Sequence, residues 1–333
     1  MKNLIFLIGI IFLSSCSVIE LIYFQDKGLK SSRKYDFNYS EWLSASDSEI
    51  LILAIHGYNA HAGSFETPAK LFSKFNIETI SFDLRGFGSN KDFGKWYPLQ
   101  VHINDVDQVI KKISREEPKK KIFLLGESMG AAIAISLANQ KKHLPINGLI
   151  LVSPAFWNFS DTNPFKSFLM KGFANLFPNF LLSGKGIIKV RPSDNIKMLK
   201  DYAADPLVVH KPTASSVNGI IELMDKAFNN AERYLNKPTY ETLIVIPMID
   251  EIVPRKPLIH LFDKININTN LNKNLFLALY DKNFHMILRD IDGDRITWEI
   301  KEWIINKERV INFQTFKNVV NRLKNAKFYH RLD

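Results

Sequence analysis

The residues of this chain best suited to chemistry are Ser128, His285 and Asp250. Ser128 lies in Gly126-Glu127-Ser128-Met129-Gly130, between the apolar run Ile122 to Leu125 and an alanine-rich stretch that begins at Ala131. That order predicts a buried strand, a sharp turn and a helix, with glycines where strand and helix come too close for a Cβ. Such a turn lifts the serine hydroxyl clear of the sheet. The hydroxyl is a poor nucleophile near neutral pH unless a histidine takes its proton and a carboxylate holds that histidine in the right tautomer. Of the eight histidines, His285 is best placed, in the loop Asp281-Lys282-Asn283-Phe284-His285 that follows the strand-like run Leu275 to Tyr280. Asp250 follows a second such run, Leu243 to Ile246, through Pro247, Met248 and Ile249. Both sit beyond the C-terminal ends of expected parallel strands, where open α/β sheets build their sites.

Acyl transfer also needs two donors aimed at the developing oxyanion. The backbone N–H of Met129, directly after the nucleophile, is one, and the second is expected from the loop after the Ile50 to Ile55 run, at Tyr58. On this reading His56 shapes the loop, His61 is structural, and the remaining histidines lack a strand-end setting. No cofactor and no metal-ligand spacing is read from the chain.

These residues need a scaffold, and its rhythm is legible. A weak strand is expected through Asp36 to Leu43, then strands at Ile50 to Ile55, Glu78 to Phe82, Lys121 to Leu125 and Gly148 to Val152. Helices are expected between them at Phe65 to Phe75, Ile103 to Ser114 and Ala131 to Lys141. Strand alternating with helix is the mark of a mostly parallel sheet flanked by helices. From about Phe156 to Tyr240 the rhythm changes to aromatic and apolar segments without a clear buried strand, read as a helical cap insertion. Strands resume at Leu243 to Ile246 and Leu275 to Tyr280, and a last core helix is expected over Arg295 to Ile305. The domain reading is a core of 36–156 and 241–307, a cap of 157–240, and a basic amphipathic helix within 308–333. That last helix could lie on a membrane or pack on the domain with its lysines in water.

A chain of 333 residues with 46% hydrophobic content can bury a sizeable core, which excludes disorder for most of it. The formal charge of +10 favours anionic partners. No zinc-ligand spacing, RNA-binding signature or helix-turn-helix pattern accompanies it, so a membrane surface matches better than nucleic acid. The single cysteine, Cys16, excludes an intrachain disulfide. Residues 1–15 carry Lys2 and then the apolar run Leu4 to Leu13, too short to span a bilayer but suited to a secretory signal. Leu13-Ser14-Ser15-Cys16 resembles the bacterial lipoprotein signal, which implies lipidation at Cys16. Residues 16–35 would then tether the domain to the cell envelope, with Ser17 favouring the outer membrane where the cell has one.

Beyond the serine motif, five separated stretches resemble, in order, α/β-hydrolases of the monoacylglycerol lipase and lysophospholipase group. They are His56-Gly57 with His61; Asp83, Arg85, Gly86, Gly88 and Ser89; Asp205-Pro206-Leu207; Asp250 with Val253; and His285 with Met286, Leu288, Arg289 and Asp290. The order Ser128, Asp250, His285 is the one that fold uses. Glu127 stands where this group usually has histidine, Pro247 where it has glycine, and Asn59 and Ala60 where glycine and glutamate are common. The resemblance implies a serine carboxylester hydrolase acting on single-chain lipids through an acyl-enzyme. It also implies a cap whose Phe165, Phe168 and Phe173 give an apolar acyl pocket, although the same rings could simply seal the cap onto the core. Other activities of the fold, a thioesterase, a general carboxylesterase, an aminopeptidase or a non-catalytic binding module, stay open at this point.

Overall fold

The computed structural model describes residues 37–183, 190–265, 274–306, 313–314 and 316–326. Cys16 and the 16–35 tether lie outside the described residues. Among the described residues eight strands form one sheet: β1 (Tyr39–Trp42), β2 (Ile50–Ile55), β3 (Ile77–Phe82), β4 (Lys121–Glu127), β5 (Gly148–Val152), β6 (Thr242–Pro247), β7 (Leu275–Tyr280) and β8 (Phe313–Gln314). Their order across the sheet is β1-β3-β2-β4-β5-β6-β7-β8. The inner strands are parallel, and only the edges, β1 on β3 and β8 on β7, run antiparallel. β2, β4, β5 and β6 are apolar over most of their length because both faces are covered, as parallel sheets require.

One face closes on Trp303, whose ring meets Phe123 at 6.0 Å and Phe276 at 5.7 Å edge-on. Gly148 makes room for this, since a Cβ there would lie 2.9 Å from the Phe123 ring. Phe72, Trp42 and Ile300 complete that layer. Each fully buried aliphatic or aromatic side chain in it contributes on the order of 1.5–3 kcal/mol. The opposite face is covered by the Met129–Gln140 helix, whose Gly130, Ala131, Ala132 and Ala134 let it press close to the strands.

The structure refines several sequence expectations. The helix expected at Ile103 to Ser114 runs over Leu99–Glu116, and a helix at Arg255–Asp263 was not anticipated. The 157–240 insertion divides in two. Short helices at Phe159–Thr162, Pro164–Leu176 and Ile196–Ala204 form a cap. The long Ala214–Leu235 helix instead packs along Met129–Gln140, burying Ala227, Phe228, Ala231 and Leu235, with Asn139 Nδ2 donating to Asn230 Oδ1 at 3.1 Å. At the C-terminus the expected continuous helix is replaced by strand β8 followed by a helix over Phe316–Asn325. The helix packs on the domain: Val319, Val320 and Leu323 are buried, and Arg322 reaches both oxygens of Asp281 at 2.5 and 2.6 Å. Among the described residues no helix is long and apolar enough to cross a membrane.

Candidate active site

Strand β4 ends in Glu127, and the chain turns at Ser128 with φ 56°, ψ −114°, a strained backbone for a residue with a side chain. The flanking glycines explain how the turn closes. A Cβ on Gly126 would lie 2.4 Å from the Gly130 carbonyl oxygen, and one on Gly130 would lie 2.0 Å from the Ile55 carbonyl oxygen. Backbone bonds hold the strained residue from both sides: the Ser128 N–H donates to the Val152 carbonyl at 2.9 Å, and the Ser128 carbonyl accepts from Ala132 and Ala155.

The structure brings the three predicted side chains together. Ser128 Oγ lies 2.9 Å from His285 Nε2, and His285 Nδ1 lies 2.7 Å from Asp250 Oδ2. A carboxylate beside Nδ1 keeps the proton there, leaving Nε2 to accept from the serine hydroxyl. The other oxygen of Asp250, Oδ1, accepts the N–H groups of Ile252 and Val253 at 2.8 and 2.9 Å, which fixes the carboxylate's orientation. Burial pulls the proton affinity of His285 down. The charge and hydrogen bond of Asp250, helped by the charge of Glu127, outweigh it and leave the imidazole above its ordinary value.

The loop carrying His285 is anchored at its base. Asp290 Oδ2 accepts from Phe284 N–H at 2.8 Å and Asn283 Nδ2 at 3.2 Å, while Oδ1 accepts from Ser193 Oγ at 2.7 Å. The strap 190–195 crosses this loop, with Met286 N–H donating to the Pro192 carbonyl at 2.8 Å. Asp290 is among the residues that carry the family resemblance, and these contacts give it an anchoring role. The strap was not found from the sequence, because Ser193 and Asp290 meet across 97 residues.

The expected oxyanion loop lies against the nucleophile: a Cβ on Gly57 would lie 3.3 Å from Ser128 Cβ. Met129 is the first helical residue after Ser128, where an N–H has no partner within the helix. Tyr58 follows Gly57, and its hydroxyl meets Ser216 Oγ at 2.9 Å. His56 is fully buried. Its Nδ1–H donates to the Gly57 carbonyl at 2.9 Å and its Nε2 accepts from Leu84 N–H at 3.0 Å, and burial lowers its pKa to about 4. It shapes the loop as a neutral ring. His61 Nδ1 accepts from Gly63 N–H at 3.1 Å, so its Nε2–H donates to Asp205 Oδ2 at 2.8 Å, tying the loop to the cap.

The aromatic residues expected to give an apolar acyl pocket, Phe165, Phe168 and Phe173, lie on the Pro164–Leu176 helix of the cap. Phe165 and Phe168 are 71% and 73% exposed on the outer face of Pro164–Leu176, because that helix buries only Ala174. Phe173 is half-buried, packed edge-on against Phe180 at 5.5 Å and tilted against Phe177 at 5.4 Å. With Leu169, Leu176 and Leu181 they form an exposed apolar surface rather than a closed cavity. Among the described residues no group of three or more His, Cys, Asp or Glu side chains is arranged to hold a metal ion.

Comparison with known proteins fits this geometry. The model of the Hydrolase_4 family, described as serine aminopeptidase, S33, matches residues 46–292, a span that includes Ser128, Asp250 and His285. The monoglyceride lipase of Rattus norvegicus is 23% identical over 278 residues, covering 80% of this chain and 86% of that protein. A monoacylglycerol lipase structure from Paleococcus ferrophilus matches with a TM-score of 0.65 at 22% identity, covering 81% of this chain and 99% of that one. A soluble variant of the Saccharomyces cerevisiae monoglyceride lipase, solved with a substrate analog, matches with a TM-score of 0.68 at 18% identity, covering 86% of this chain and 96% of that one. At these identities the structures establish a shared fold.

Proposed function

The chain belongs to the Hydrolase_4 family of α/β-hydrolases and is a serine hydrolase, and from that premise we propose that it cleaves carboxylic esters of single-chain lipids, as a monoacylglycerol lipase or lysophospholipase does. The observation that carries the chemistry is the hydrogen-bonded chain Ser128 to His285 to Asp250. Ser128 Oγ attacks the ester carbonyl carbon while His285 Nε2 takes its proton, and Asp250 holds the ring and the charge it acquires. The Tyr58 and Met129 N–H groups receive the oxyanion. Collapse of the tetrahedral intermediate breaks the C–O bond, and His285 returns the proton to the departing alcohol. Water then attacks the acyl carbon while His285 Nε2 takes its proton, the bond from that carbon to Ser128 Oγ breaks, His285 returns the proton to Oγ, and the fatty acid leaves. The lipid assignment is supported by the rat relative's name and by the apolar face that Phe165, Phe168, Phe177 and Phe180 present on the cap.

The test is a substrate panel of monoacylglycerol, lysophospholipid, short p-nitrophenyl esters and aminoacyl amides, run on wild type and Ser128→Ala. Lipid ester hydrolysis lost in Ser128→Ala supports the reading, whereas activity confined to the amides assigns the site to peptide N-termini instead. We further infer from the sequence that Cys16 is lipidated and that the domain is tethered to the cell envelope. Acyl chains contribute about 0.8 kcal/mol per buried CH₂, so a multiply acylated cysteine anchors stably. Labelled palmitate should enter the wild type and not Cys16→Ser, and an unmodified wild type in its native host refutes the anchor.

A further inference from the structure

Glu127 is the immediate neighbour of Ser128 and the last residue of β4, yet it is only 3% exposed. A carboxylate cannot be buried there without a partner. That partner is Arg289, four positions beyond His285 in the same loop and itself 8% exposed, whose Nη2 lies 3.1 Å from Glu127 Oε2. The pair therefore joins the residue beside the nucleophile to the loop that carries the base. Its geometry is not that of a structural clamp. Arginine and carboxylate prefer two parallel hydrogen bonds, but here Glu127 Oε1 and Arg289 Nε are both buried without a hydrogen-bond partner among the described residues. Buried pairs left incompletely satisfied add little to stability, which points to a role in the charge balance of the site.

We propose that Glu127 and Arg289 are positioning residues, a buried charge pair whose members act on His285 in opposite senses and so keep its hold on the Ser128 proton in balance, neither charge displacing it alone. This rests on the hydrolase mechanism given above. The two charges act on the same ring in opposite senses, Glu127 favouring the imidazolium and Arg289 opposing it. The other charged or titratable groups around the ring are otherwise engaged. Asp250 orients Nδ1; Asp290 is turned to Phe284, Asn283 and Ser193; Glu251 accepts the Arg191 N–H; and the Arg191 guanidinium lies 4.7 Å from the Phe284 ring centre. On the cap side, Asp205 is bonded to His61, and Tyr202 lies beneath the Arg289 guanidinium at 5.6 Å, kept neutral by burial that pushes it up to about 12.

The experiment is kcat/KM against pH on a short p-nitrophenyl ester for wild type, Glu127→Gln and Glu127→Gln/Arg289→Gln. The expected result is that Glu127→Gln, which leaves Arg289 unopposed, moves the acid limb to lower pH by about half a unit or more, while the double variant returns it to near the wild-type position. An unmoved limb in Glu127→Gln, or equal shifts in the single and double variants, overturns the proposal. Should Glu127→Gln not be recovered folded, Arg289→Gln carries the test and must move the limb to higher pH. An NMR titration of the His285 ring in the Ser128→Ala background, with and without Glu127→Gln, needs no turnover. A lower midpoint with the substitution supports the pair, and an identical midpoint overturns it. Ester hydrolysis that survives Ser128→Ala would instead overturn the hydrolase mechanism, a result distinguishable from either.

Discussion

Ser128 Oγ and His285 Nε2 meet at 2.9 Å across 157 residues of chain, and the distance is fixed by backbone anchors behind each residue. Behind the serine is the glycine-bounded turn, tied to β5 through the Val152 carbonyl. Behind the histidine is Asp290, which takes the Phe284 N–H and links the loop to Ser193 of the strap. A nucleophile and base held in this way are preorganised, with little left to order when the substrate arrives.

Asp250 sits on the far side of the same ring. Asp250→Asn keeps an acceptor for Ile252 and Val253 but presents the wrong partner to His285 Nδ1, favouring the tautomer that cannot accept from Ser128. We expect kcat to fall by about 10⁴-fold, as loss of the orienting carboxylate does in comparable triads, with a thermal midpoint close to wild type. A loss of less than tenfold would show that another group orients His285.

The pH profile follows from the sign of the His285 shift. Its imidazole is held above the ordinary value of 6.5, and only the neutral ring accepts the serine proton. The acid limb of kcat/KM should therefore have its midpoint above 6.5, activity falling as pH drops through it. Linkage gives the matching stability statement: a raised folded-state value stabilises the fold below 6.5, and that contribution is lost as pH rises through the folded-state value. An acid limb at or below pH 6 would contradict the assignment of His285 as base.

Gly130 and Gly172 make opposed predictions. A Cβ on Gly130 meets the Ile55 carbonyl at 2.0 Å, so Gly130→Ala must push the Met129–Gln140 helix off β2, with a loss of about 2–3 kcal/mol or more and loss of activity. A Cβ on Gly172 meets nothing within 4 Å in the middle of a helix. Gly172→Ala should therefore raise stability by about 0.5–1 kcal/mol with activity unchanged. Denaturant unfolding of the two variants checks both signs.

These contrasts show what was legible in the chain. The strand and helix rhythm of the core could be read because β2, β4 and β5 are apolar on both faces, and the placement of Ser128, Asp250 and His285 followed from strand ends. The cap was less legible because its helices do not bury a regular stripe: Pro164–Leu176 is rich in phenylalanine, yet Phe165 and Phe168 face outward. Sequence hydrophobicity records a residue's cost in water and not which surface covers it. β8 was missed because two residues on a sheet edge leave no periodicity to detect. Glu127 carried a usable signal, since an acid closing an otherwise buried strand needs a cation, but only the fold shows that the cation is Arg289.

His61 and Asp205 provide the last prediction, on how the cap governs the oxyanion loop. The His61 Nε2–H donates to Asp205 Oδ2 at 2.8 Å, Asp205 Oδ1 accepts from Leu207 N–H at 2.8 Å, and Val209 N–H donates to the Asn59 carbonyl at 3.0 Å. Asn59 is held at φ 63°, and Tyr58 lies between it and Gly57. Asp205→Ala would leave the buried His61 N–H and the Leu207 N–H without acceptors, at a cost of about 1–3 kcal/mol each where water cannot replace them. The loop would relax away from a strained backbone, carrying the Tyr58 N–H off the oxyanion position. Because that donor acts on the transition state, the expected loss is in kcat, about 10²-fold for loss of one oxyanion donor, with KM nearly unchanged. If KM rises instead and kcat is preserved, the link between His61 and Asp205 serves substrate capture by the cap, and the second oxyanion donor must be sought elsewhere than Tyr58.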